Sequence, residues 1–407
     1  MTSLLFEPTT IGGMILPNRF VRSATWEGLA DPEGGATPEL ARLYGEFARG
    51  RVGLIISSHA FVSPEGRAGS QQLGVHDDTV IPGLRNLAAA VHEAGGKLAL
   101  QLAHAGLWAS PAPGADEDSD TGAGRVAAPE AGAEAGAAAG AAPGSEAGAE
   151  AAQPLGPSVR QTDSGPLGRE MSLVDIAAVT EAFAAAAGRA KAAGCDAVQI
   201  HGAHGYLLSQ FLSPLFNKRE DEYGGAVTNR TRLVVETIGA IRAAVGPDYP
   251  VLIKMNSEDF VPGGLSVDDM LESAALMAEA GVDAIELSGG TSLSGDLGPI
   301  RTRGGIPQER EAYYEHAALR LKQKVRVPVM LVGGIRSFEE AERLVAGGYT
   351  DHIALSRPFI CEPDLVARWE SGDRAPSGCR SDNRCYYKGL KREGMYCVHA
   401  KRGGTER

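Results

Sequence analysis

Cysteine is scarce, positive charge is outweighed, and long apolar runs are missing. Five cysteines in 407 residues are too few to staple a chain of this length, which excludes a disulfide framework as the source of its stability. The formal net charge is −12. Without a basic patch, the chain carries no electrostatic footprint for nucleic acid or for an anionic membrane surface. No stretch is long enough to span a bilayer, and the start, Met1 to Glu7, lacks the basic residues and apolar core of a signal peptide. A Gly-x-Gly-x-x-Gly turn after an early strand is missing, which argues against an open doubly wound sheet. No grouping resembles a Ser-His-Asp triad. These absences lead to the expectation of a soluble, cytoplasmic protein.

What is present is rhythm. With 43% hydrophobic residues, the chain can bury one large core or two modest ones. The opening predicts a hairpin turning at Gly12-Gly13, followed by a strand over 19–23. Seven further short apolar runs, over 53–57, 97–102, 197–201, 251–255, 284–288, 329–333 and 352–356, alternate with helical patterns over 172–193, 229–245, 267–280, 310–324 and 337–346. Ser172, with Asp175 in the first turn, and Ser337, with Glu340 three residues on, are the capping signals. Eight strands, each followed by helical or inserted sequence, predict an α/β fold: a single (β/α)8 TIM barrel occupying 1–407. The segment 111–157 breaks the rhythm. It is Ala-, Gly-, Pro- and Glu-rich with almost nothing large to bury, and is expected to be a disordered insertion after strand three. The stretch 376–407 reads as a cysteine-containing tail.

Chemistry concentrates at predicted strand ends. Gln199 to Pro214 delivers His201, His204 and Tyr206 from the end of strand four, with glycines between them. In a barrel that end is the working face. Two readings stay open on spacing alone: satisfied structural histidines, or a functional pocket. A His-x-x-His pair also suits a metal, but no nearby third ligand accompanies it. After strands seven and eight come Gly333-Gly334 and Ser356-Arg357. Loops in those places bind phosphate through backbone N–H groups, and Arg357 adds a charge-assisted bond.

On these residues the chain resembles the Old Yellow Enzyme family, the NADH:flavin oxidoreductases that include FMN-dependent ene-reductases. The similarity lies in Phe6-Glu7-Pro8 through Pro17-Asn18-Arg19-Phe20, Gln101 to Gly106, His201 to Pro214, Asn217-Lys218-Arg219, Asp221 to Gly225, Asn229 to Arg232, Val332 to Arg336 and Ala354 to Phe359. The resemblance implies FMN as cofactor and NADH or NADPH as reductant, with an unsaturated carbonyl compound as substrate in a ping-pong cycle. It implies that Ala24 and Thr25 contact the flavin by backbone, that Gln101 bonds its pyrimidine edge, and that Arg232 places a cation near N1. It implies that Gly333, Gly334, Ser356 and Arg357 hold the phosphate, that His201 and His204 bond the substrate carbonyl, and that Tyr206 supplies a proton. Reduction of quinones or nitro compounds, oxidative demethylation, and a non-catalytic flavin-binding role are the alternatives. A homo-oligomer is also open.

Two departures stand out. Trp26 occupies the place where many members carry Thr or Cys beside the flavin, and so becomes a candidate pocket wall. In the tail, Cys379-Arg380-Ser381-Asp382-Asn383-Arg384-Cys385 and then Cys397 resemble the Cys-x-x-Cys-Asn-x-Cys segment of longer, cluster-bearing relatives. Asp382 stands where the second cysteine belongs, so the segment reads as a vestigial motif without a metal.

Overall fold

Eight parallel strands close into a barrel in the computed structural model, which describes residues 3–110, 153–302, 311–391 and 394–400. They are β1 (Phe20–Arg22), β2 (Leu54–Phe61), β3 (Leu98–Ala103), β4 (Ala197–Gly202), β5 (Val251–Asn256), β6 (Ala284–Ser288), β7 (Val329–Leu331) and β8 (His352–Leu355). Barrel strands are covered on both faces, which is why these runs are apolar rather than alternating; every residue of β3, β4, β5 and β6 is buried. Helices including Pro38–Arg49, Leu173–Ala192 and Val227–Val245 form the outer layer. No described helix is long and apolar enough to cross a membrane.

The predicted hairpin pairs Thr9–Ile11 with Met14–Leu16. Gly12 and Gly13 turn it at φ +52° and +83°, where a side chain is disfavoured. Ile11, Met14 and Leu16 plug the barrel floor, packing with Val21, Leu54, Ala99, Leu252 and Met330. Alternate residues along a strand share a face, so the inward positions stack in layers. Above apolar Ala197, Leu252 and Ala284 come Gln199, Lys254 and Glu286, and above those His201, Asn256 and Ser288.

Ser172 caps its helix as expected, its hydroxyl accepting from Asp175 N–H while the Asp175 carboxylate accepts in return. Ser337 does not: its hydroxyl donates instead to Glu311 at 2.9 Å, a contact from the preceding segment that local spacing cannot reveal. Residues 111–152, most of the expected insertion, lie outside the described residues. The insertion's predicted end is too late. Leu155–Gly156 is already a short strand beside Arg169–Glu170, and Arg160–Thr162 forms a hairpin with Gly165–Leu167. The helix expected over 310–324 begins only at Glu315.

Candidate functional site

The inward polar layer halfway up the barrel is one connected network. Gln101 Nε2 donates to Gln199 Oε1 at 2.7 Å, and Gln199 Nε2 donates to Glu286 Oε2 at 2.8 Å. Lys254 Nζ donates to Glu286 Oε1 at 3.0 Å and to Ser23 Oγ at 2.8 Å, and Ser23 Oγ donates to Glu286 at 2.5 Å. All five side chains are buried. Burying an ammonium and a carboxylate is costly unless they are paired and further bonded, and here both conditions are met.

Above this layer four rings gather. The His201 ring centroid lies 4.9 Å from that of Tyr206, 5.4 Å from that of His204 and 6.3 Å from that of His59. Tyr206 Oη is 3.4 Å from His59 Nε2. His204 adopts φ +63°, a left-handed conformation uncommon for a residue with a side chain and frequent at functional sites. Its N–H donates to Asn256 Oδ1 at 3.0 Å, and its Nε2 pairs with Ser288 Oγ at 2.8 Å. Asn256 is fixed in turn by donating to Asp259 and Gly290. Burial holds the imidazoles of His201 and His204 well below the usual histidine range, with the nearby Lys254 charge acting in the same direction. Burial alone lowers His59 to about 4. The Tyr206 phenol is pushed up, chiefly by burial. At neutral pH the site therefore presents neutral imidazoles and an intact phenol. His201 Nδ1 is buried without a partner. Among the described residues, no three His, Cys, Asp or Glu side chains converge as a metal ion requires.

The surrounding loops bring most of the expected residues together. Thr25 Oγ1 reaches Ser356 Oγ at 2.8 Å, tying the loop after β1 to that after β8. Below it, outward-facing Arg22 donates to Ile56 O and Thr25 O and pairs with Glu27, which also accepts from Tyr44 at 2.8 Å. This buried knot fixes the course of Ala24 and Trp26. Arg357 Nη1 donates to Arg301 O at 2.6 Å and to Asn383 Oδ1 at 2.8 Å. Gly333 and Gly334 turn at φ +129° and +76°.

Trp26 is covered by the tail. Its ring lies 5.8 Å from that of Tyr386, and a Cβ added at Gly389 would fall 2.8 Å from it. Tyr386 raises the Tyr206 phenol further by electrostatic interaction. In that tail Cys379, Cys385 and Cys397 line one small cavity with Asp382 and His399, and His399 Nε2 meets Asp382 Oδ2 at 2.6 Å. Cys361, outside the sequence motif, adjoins them: its Sγ lies 3.7 Å from a Cβ placed at Gly378, and burial together with Cys397 raises its thiol to about 12.

Arg232 is not in the site. It is exposed on helix Val227–Val245, and its Nε donates to Glu222 O at 2.7 Å. The helix buries Val227, Arg230, Thr231, Val234 and Ile238, which turns Arg232 outward. Lys254 places a cation inside the barrel, in the layer beneath the four rings. Its signal was a lysine at an inward position within the run Val-Leu-Ile-Lys-Met. His59 lies just past the strand end expected at residue 57, on a β2 that runs on to Phe61.

Comparison with known proteins agrees with this geometry. The family model described as NADH:flavin oxidoreductase / NADH oxidase family matches residues 4–375. An NADPH dehydrogenase of Geobacillus sp. (strain WCH70) is 34% identical over 364 residues, covering 89% of this chain and 92% of the relative. An NADH oxidase of Thermoanaerobacter brockii is 33% identical over 372 residues, 90% of this chain but only 51% of the relative. The chain thus spans about half of that relative's length. Among solved structures, a 2-naphthoyl-CoA reductase complex superposes with TM-score 0.81 at 25% identity, covering 97% of this chain and 56% of that one. An old yellow enzyme homologue from Zymomonas mobilis gives 0.71 at 24% identity, covering 93% and 95%, a likeness of fold. The chain belongs to the NADH:flavin oxidoreductase / NADH oxidase family.

Proposed function

We propose that the chain is an NAD(P)H-dependent FMN enzyme that reduces the activated C=C bond of α,β-unsaturated carbonyl compounds. The observation that carries this reading is the neutral His201–His204–Tyr206 group standing directly over the buried Gln101–Gln199–Glu286–Lys254 layer. Its residues suit a flavin: amide groups and a cation form the polar layer inside the barrel, and glycines with positive φ and an arginine stand in the loops after β7 and β8. The chemistry that FMN would supply when bound here is hydride transfer from NAD(P)H to the substrate. Gln101 and Lys254 would meet the flavin's pyrimidine edge, where positive charge favours the reduced state. Gly333, Gly334, Ser356 and Arg357 would hold the phosphate, with Ala24 and Thr25 along the ring system.

His201 and His204, kept neutral by burial, would each offer an N–H to the carbonyl oxygen and draw electron density from the alkene. Neutrality matters because an imidazole kept uncharged in a dry site is a hydrogen-bond donor whose proton stays on it. Tyr206 would give its proton to the α-carbon. A phenol that remains protonated throughout the neutral range is suited to that step, and His59 at its hydroxyl can help restore the proton from solvent. The net reaction consumes NAD(P)H and one proton and yields NAD(P)+ and the saturated carbonyl compound.

The test is anaerobic stopped-flow spectroscopy. NADH or NADPH should bleach the yellow protein, and an enone such as 2-cyclohexenone should restore the colour. Bleaching followed by reoxidation with quinones or nitro compounds, but with no enone, would overturn the assignment of substrate.

A further inference from the structure

Arg301, in the segment after β6, is buried, yet its Nε and Nη2 have no hydrogen-bond partner. Three aromatic rings surround the guanidinium, with centroids 4.6 Å (Phe260), 4.9 Å (Tyr313) and 5.0 Å (Tyr314) from Cζ. Such faces favour a cation, but they do not satisfy N–H groups sealed from water, which are costly to leave without acceptors. Among the described residues no carboxylate pairs with Arg301, although Glu258 lies within electrostatic reach. Among the described residues, two of the guanidinium's N–H-bearing nitrogens are therefore buried without an acceptor.

The guanidinium's surroundings say which acceptor would fit. The same two tyrosine rings contact the glycine loop after β7. A Cβ at Gly333 would lie 2.8 Å from Tyr314, one at Gly334 would lie 2.6 Å from Tyr313, and Tyr313 N–H donates to Gly333 O. The carbonyl of Arg301 itself receives Arg357 Nη1. The segment after β6 and the loops after β7 and β8 thus meet through shared neighbours: the two tyrosine rings lie between the Arg301 guanidinium and the glycine turn, and Arg357 bonds the Arg301 carbonyl.

We propose that Arg301 is a second cationic ligand for a phosphate monoester, closing over the Gly333–Gly334 loop opposite Arg357. This rests on the reading of the site as a flavin pocket, and it makes the phosphate end, rather than the ring system, the part that Arg301 recognises. Met at this position would preserve packing among the three rings while removing charge and donors.

The experiment compares FMN with riboflavin, which shares the ring system but lacks the phosphate, by flavin fluorescence quenching on deflavinated wild type and Arg301→Met. The wild type should prefer FMN. Arg301→Met should weaken FMN binding by about tenfold or more, the value of losing hydrogen bonds to a charged group, and leave riboflavin binding unchanged. Equal weakening of both flavins, or of neither, would overturn the proposal. Should Arg301→Met fail to fold, Arg301→Lys carries the same comparison, again with loss expected for FMN alone. A protein that binds neither flavin would instead overturn the flavin reading itself, so the two failures are told apart.

Discussion

Tyr206, the proton donor of the proposed reaction, sits at the N-terminal edge of the short helix Leu207–Leu212, with its hydroxyl facing His59 and its ring against His201. Removing only that hydroxyl tests the role without disturbing packing. Tyr206→Phe should slow reoxidation of the reduced enzyme by an enone by about 10²- to 10⁴-fold and leave the bleaching step by NAD(P)H within about twofold. Equal slowing of both half-reactions, measured by stopped flow, would show that the residue shapes the pocket rather than supplying the proton. Trp26 and Tyr386 pose a different question at the same scale, since their rings pack edge to face, one from the loop after β1 and the other from the tail. Tyr386→Ala should raise kcat/KM for a bulky cyclic enone relative to 2-cyclohexenone. A variant that changes both substrates by one common factor would remove Tyr386 from the pocket wall.

At the scale of elements, the barrel strands were the most legible feature, because covered parallel strands must be apolar on both faces and so appear as continuous runs. The extra residues of β2, out to Phe61, were not legible. Ser57, Ser58 and His59 interrupt the apolar run, and the register shift between Ile56 and His59 against β3 accommodates them. The helix Val227–Val245 shows the complementary failure. Its buried positions fall three and four residues apart, and that spacing alone turns Arg232 to solvent, yet motif similarity placed Arg232 at the cofactor. The buried cation inside the barrel comes instead from strand β5, as Lys254. Arg232→Ala should leave stability within about 0.5 kcal/mol, as for an exposed side chain away from special features, and flavin affinity unchanged. Lys254→Met should cost about 3–5 kcal/mol by urea denaturation, because Glu286 would remain buried without its cation. Adding Glu286→Gln to Lys254→Met should recover part of that loss, and no recovery would mean that the pair's charge is not what the strands depend on.

Across the whole molecule, burial has kept several histidines neutral, and their locations differ. His201 belongs to the candidate site and His104 to the mouth beside it, whereas His352 opens β8 with neither ring nitrogen partnered. Burial depresses all three, His104 and His352 to about 4. In the unfolded chain each would titrate near 6.5. Between those values the unfolded state binds protons that the folded state refuses, so stability must fall as pH drops from about 6.5 toward 4. Each such histidine contributes a slope approaching 1.4 kcal/mol per pH unit within that window. Above about 7 both states hold the imidazoles neutral, and this contribution to the pH dependence disappears. Urea midpoints at pH 7.5, 6 and 5 should therefore decline progressively, and His352→Leu, which removes a buried imidazole far from the reacting groups, should flatten the decline without altering the reoxidation rate. An unchanged slope in that variant would show that His352 is not among the groups whose protonation destabilises the fold.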